Sequence, residues 1–91
     1  MIIKGLDFIE TCSSCPEQYE VFKDKKEVGY VRLRWGSLRV DYPKCGAETI
    51  FDHDFKDNLL GCFPNDESRE VFLNEIANRI NERLILKLTL K

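Results

Sequence analysis

Between Tyr19 and Tyr42 (YEVFKDKKEVGYVRLRWGSLRVDY) apolar and polar residues alternate in three short runs, the period of half-buried strands. Gly36-Ser37 reads as a two-residue hairpin loop. That loop sets Trp35 opposite Leu38, Leu33 opposite Val40 and Val31 opposite Tyr42 on an apolar face. The other face then carries Arg34 opposite Arg39 and Arg32 opposite Asp41. A slip of one residue would mix apolar and polar side chains on both faces, which disfavours it. Asp24-Lys25-Lys26 reads as a three-residue loop, which aligns Tyr19 and Val21 with Val31 and leaves Phe22 opposite Val28 on the charged face.

The remaining pattern is simpler. Residues 2–9 (IIKGLDFI) predict a first strand weakened by Gly5, and Thr11 to Pro16 a loop. Pro43 ends the strand that starts at Leu38, because proline cannot donate to a ladder. Thr49-Ile50-Phe51 predicts a short further strand, and residues 52–63 a linker. Asn65 is a helix cap, with Asp66 and Glu67 suited to the positive end of the helix. Phe72, Leu73, Ile76, Ala77, Ile80 and Leu84 then recur at helical spacing, with Arg69, Glu70, Asn74, Asn78 and Glu82 expected to face water. From Leu84 onward leucines alternate with other residues, which favours a last strand. The expected architecture is α+β: a small antiparallel sheet of four to six strands, with its central hairpins at about 19–42 and one amphipathic helix on its apolar face.

Composition narrows the function classes. Ninety-one residues with 43% apolar and 33% charged content describe one small globular domain. A formal net charge of −2 argues against coating nucleic acid by bulk charge. The N-terminal stretch lacks the apolar run of a signal peptide, and no window approaches the roughly 20 apolar residues of a spanning helix. A cytoplasmic chain without a membrane role is expected, and there cysteines are thiols, metal ligands or redox groups rather than structural disulfides.

Three readings of the four cysteines stay open at this point. Cys12-Ser13-Ser14-Cys15 can place two sulfurs on one metal, and Tyr42-Pro43-Lys44-Cys45-Gly46 resembles a zinc-ribbon knuckle with Tyr42 in place of its first cysteine. Cys62, or His53, could complete a structural zinc site with Cys12, Cys15 and Cys45. Alternatively Cys12 and Cys15 form a thiol–disulfide oxidoreductase pair, although such pairs normally begin a helix, and Pro16 and a strand follow here. The third reading is half-buried thiols, with Cys62 beside Leu60 and Phe63. Asp52-His53-Asp54 reads as a solvated acidic loop. No phosphate loop, nucleophile elbow or zinc-protease motif is present, so a non-enzyme is expected.

The charged sheet face is the candidate binding surface. Tyr30, Arg32, Arg34 and Arg39 project from it, with Phe22 and Val28 at one end. Arginine beside an aromatic can hold a phosphate or stack on a base. Like charges opposed across strands are mildly destabilising, a cost that an anionic ligand relieves.

The run Cys15-Pro16-Glu17-Gln18-Tyr19-Glu20-Val21-Phe22, followed by Val28-Gly29-Tyr30-Val31-Arg32-Leu33-Arg34, resembles a pattern in small uncharacterised bacterial and phage-borne proteins. The resemblance covers residues 12–51 and carries no activity or cofactor. It implies an accessory protein of a mobile element that binds a host protein or nucleic acid. Together with the residues it gives a binding module for a protein partner, with nucleic-acid binding and thiol redox as alternatives.

Overall fold

A computed structural model describes residues 1–12, 15–57 and 59–89, with side chains up to residue 87. Among the described residues six strands form one antiparallel meander in chain order: β1 (Ile2–Ile3), β2 (Leu6–Cys12), β3 (Glu17–Lys23), β4 (Lys26–Arg34), β5 (Ser37–Tyr42) and β6 (Glu48–Asp54). One helix, α1 (Asp66–Thr89), covers one face of the sheet. Leu6, Phe8, Tyr19, Val21, Val31, Leu33, Leu38 and Val40 point into the layer between them, where Leu73, Ile76, Ala77 and Ile80 meet them from the helix. Gly29 sits where the layers come closest. A Cβ added there would lie 2.7 Å from Ile80 Cδ1, so a side chain at this position would force Ile80 to shift.

Three hairpins close with two-residue turns at Lys4-Gly5, Asp24-Lys25 and Trp35-Gly36, and all six residues have positive φ. This is the signature of type I′ turns, whose twist matches that of the flanking strands. The first turn divides the single strand expected over residues 2–9 into β1 and β2.

The third turn corrects the expected register. The loop is Trp35-Gly36 rather than Gly36-Ser37, so Leu33 pairs with Leu38, Val31 with Val40 and Arg34 with Ser37. Each partner moves by two residues, which keeps every side chain but Trp35 on its expected face and changes its neighbour. Arg32 therefore opposes Arg39, not Asp41. Trp35 leaves the core for the turn and is 64% exposed. The linker explains the choice: Gly36 N donates to Leu60 O at 2.8 Å, and Phe55 N donates to Gly36 O at 2.7 Å, which clamps Gly36 from both sides. A tryptophan at φ 53° costs roughly 1 kcal/mol, whereas asparagine adopts that conformation readily. Trp35→Asn is therefore expected to raise stability by about 0.5–1 kcal/mol in urea unfolding followed by circular dichroism. A fall in stability would contradict the turn assignment.

The second hairpin is also tighter than expected. Lys23 pairs with Lys26, Phe22 with Glu27 and Val21 with Gly29, which leaves a bulge at Val28. The bulge turns Val28 into the core, where it is 5% exposed. Val28 is thus removed from the outer face on which the sequence placed it, while Phe22 stays half-buried there.

The helix begins as the cap reading requires, with Ser68 N donating to Asn65 Oδ1 at 2.7 Å. It continues through Leu84, Ile85, Leu86 and Lys87, so the strand expected over 84–91 is corrected to helix as far as residue 89. Residues 90 and 91 lie outside the described residues. Arg69 also departs from expectation: it lies against the sheet and binds Glu17. Further along, Asn81 Nδ2 donates to Lys4 O at 3.1 Å, and Arg83 grips Glu48 through both carboxylate oxygens. These contacts tie the helix to both sides of the sheet.

Candidate functional site

The register decides what the uncovered face of the sheet presents. Along one cross-strand row Ile9, Glu20, Tyr30, Asp41 and Thr49 are neighbours, and along the next Gln18, Arg32, Arg39 and Asp52. Tyr30 OH donates to Gln18 Oε1 at 2.6 Å. Burial, reinforced by the negative charge of Cys45 when that group is ionised, pushes the Tyr30 phenol above its ordinary range, so it stays protonated at neutral pH and keeps that donor role. Arg32, Arg34 and Arg39 therefore stand together, with Tyr30 fixed beside them.

Asp41 anchors the far side of the patch. It is 1% exposed, yet it accepts from Thr49 Oγ1 at 2.9 Å and Gly46 N at 3.0 Å, and Arg39 Nε lies 3.5 Å from its Oδ1. A carboxylate with this many donors is satisfied despite burial, and it fixes the β5–β6 turn under Arg39. At the opposite corner the Arg34 guanidinium lies over the exposed Trp35 ring, 5.8 Å from its centroid. The sequence reading missed Trp35 as a surface group because it assigned the residue to the strand.

The four cysteines do not converge as a ligand set. Cys15 and Cys62 are joined in a disulfide across a sequence separation of 47, with Cα atoms 5.5 Å apart. Sulfurs bonded to one another are not available as thiolate ligands, and Cys15 is paired with Cys62 rather than Cys12. Cys45 is exposed in the β5–β6 turn, at the other end of the sheet from this bridge. Among the described residues no group of three or more His, Cys, Asp or Glu is placed to hold a metal ion. The His53 ring lies on the helix side, 4.8 Å from the Phe55 ring and 5.0 Å from Phe72.

A second polar cluster, also missed by the sequence reading, lies beside the bridge. Glu17 is 4% exposed and accepts from Arg69 Nε at 2.7 Å, Arg69 Nη2 at 3.2 Å, Phe63 N at 3.1 Å and the Tyr19 hydroxyl. Burial alone would raise the Glu17 carboxyl, but the bonds from Arg69, Tyr19 and Phe63 outweigh it and hold the group below its ordinary 4.5. The same burial, with the Glu17 carboxylate beside it, pushes the Tyr19 phenol far up. A signal existed in the sequence: Glu17 shares the inward period of Tyr19 and Val21, and Arg69 shares the helical row of Leu73, Ile76 and Ile80. This cluster holds the linker and helix start against β3, and it offers no open position for a reactant.

Among the described residues no helix is long and apolar enough to cross a membrane. Comparison of the chain with protein-family models, curated proteins and solved structures returned no match.

Proposed function

We propose that this chain is a small non-enzymatic binding module that takes a protein partner on the uncovered face of its sheet. One observation carries the reading: α1 packs on one face only, and the other presents Ile9, Phe22 and Tyr30 beside Arg32, Arg34 and Arg39. Apolar groups next to arginines suit a protein surface that offers carboxylates around an apolar contact. The three arginines share their face with Glu20, Asp41, Asp52 and Asp54, so the patch lacks the one-signed field that a polyanion exploits. An accessory role of the kind found in mobile elements fits a module of this size.

A tagged chain in its native host is expected to co-purify one stoichiometric partner. Tyr30→Ala or Arg32→Ala should lose it, while Val71→Ala on the exposed back of the helix retains it. Retention by both sheet variants would reject this surface. The Arg34–Trp35 stack favours a second reading, single-stranded nucleic acid held by stacking and guanidinium contacts. Absence of any shift at low salt with micromolar protein would dismiss it. A cytoplasmic module would keep its cysteines reduced, whereas a Cys15–Cys62 bridge persists best in oxidising compartments. A thiol count on the native protein separates the two.

A further inference from the structure

We infer that a cavity at the Lys23–Lys26 end of the molecule binds a small amphipathic anion, a carboxylate with a short acyl tail. The cavity follows from the way the layers meet. Gly29 lets Ile80 approach the sheet closely. One turn further along the helix, at Leu84, a cavity of about 290 Å³ remains, floored by Val28 and Tyr42 and rimmed by Lys23, Lys26 and Lys87. This volume is at the small end of ligand sites, which limits the occupant to a short chain.

Charge selects the head group. The tight turn forces Lys23 and Lys26 directly opposite one another, an arrangement that like charges disfavour. Among the described residues none of the three lysines has an ion-pair partner. The nearby Arg83, by contrast, is bonded to both carboxylate oxygens of Glu48 and lies over the Tyr42 ring, 5.8 Å from its centroid. Glu27 also lines the cavity, so three lysines less one carboxylate leave an excess of two positive charges. An apolar floor beneath an unpaired cationic rim complements an anion with an apolar tail, and it disfavours both a bare inorganic anion and an apolar cation.

The test uses the full chain with octanoate as the probe and octanol and octylamine as comparisons, read by amide chemical shifts in an NMR titration. Octanoate should bind saturably, with shifts centred on Val28, Tyr42 and Leu84. Octanol should bind about tenfold more weakly, and octylamine should give no saturable shift. The Lys23→Gln/Lys26→Gln double variant should weaken octanoate about fivefold to tenfold and leave octanol unchanged. Lys87→Gln, on the exposed helix surface, gives a second reading should the double variant fail to fold. Equal binding of octanoate and octanol, shifts centred elsewhere, no octanoate binding at millimolar concentration, or unaltered octanoate affinity in the folded lysine variants would each overturn the proposal.

Discussion

Arg69→Met is expected to lower the unfolding free energy by about 3–5 kcal/mol at neutral pH, the largest effect of any single side-chain replacement proposed for this chain. The reason lies in what remains after the change. Glu17 stays buried with its Tyr19 and Phe63 donors but loses both guanidinium bonds, at 2.7 and 3.2 Å. An uncompensated buried carboxylate costs far more than the pair contributes, so Glu17→Met combined with Arg69→Met should recover most of the loss. The pH dependence gives an independent check. In the native protein the folded Glu17 value is depressed, so its stabilisation is present above the ordinary carboxylate range and fades as pH falls through the folded value. In Arg69→Met burial dominates and raises the folded value, so the sign reverses and stability should improve as pH drops from neutral towards 5. Urea unfolding of the three proteins at several pH values measures all of this. A single variant within about 1 kcal/mol of native at pH 7 would mean that Glu17 is not held as described.

The same residues show how far the pattern could be read. Alternation in Tyr19–Tyr42 gave correct faces for Tyr19, Val21, Val31, Leu33, Leu38 and Val40, because burial on one side fixes which residues point inward. It could not give the partners, since a shift of two residues keeps the faces and only the clamp on Gly36 from Leu60 and Phe55 chooses between registers. The linker residues that make this clamp carry no periodicity of their own. The bulge that turns Val28 inward answers to the helix: Gly29 must meet Ile80, and that contact spans elements far apart in sequence. The C-terminal leucines were ambiguous because Leu84, Leu86 and Leu88 fit both periods. A helix nucleated at Asn65 with no breaker before Lys87 simply propagates through them.

The candidate surface was legible to a different degree. Tyr30, Arg32, Arg34 and Arg39 stand on one face as their alternation requires, but their neighbours depend on register. Once Arg32 opposes Arg39 and Asp41 turns to hold the β5–β6 turn, Asp41 pairs with Arg39 instead of Arg32, and the Arg34 guanidinium lies over Trp35. That change favours a mixed-charge protein surface over a polyanion. Cysteine spacing was the least informative feature. Cys12 and Cys15 look like a pair because they are close in sequence, whereas the fold brings Cys15 to Cys62 over the crossing linker.

Native protein unfolded without reductant is therefore expected to titrate two thiols per chain, and four after reduction. Cutting the bridge by Cys62→Ser should cost about 2–4 kcal/mol. The upper figure is the chain-entropy value for a loop of this length, with a sequence separation of 47. The fold should survive the loss, because the seam has other ties: Glu17 N donates to Gly61 O at 2.7 Å, Gly36 N to Leu60 O at 2.8 Å, and Phe63 N to Glu17 Oε1 at 3.1 Å. Those ties also imply coupling. Cys15 and Glu17 lie on one side of the seam, Cys62, Phe63 and Arg69 on the other, so the bridge and the ion pair hold the same two segments together. With the bridge cut, the seam opens locally at lower cost and water can reach Glu17. The Arg69→Met penalty should then shrink, giving a double-mutant coupling of about 1 kcal/mol or more. Strict additivity would place the two devices in independent parts of the structure, and four thiols in the unreduced chain would show that the bridge does not form.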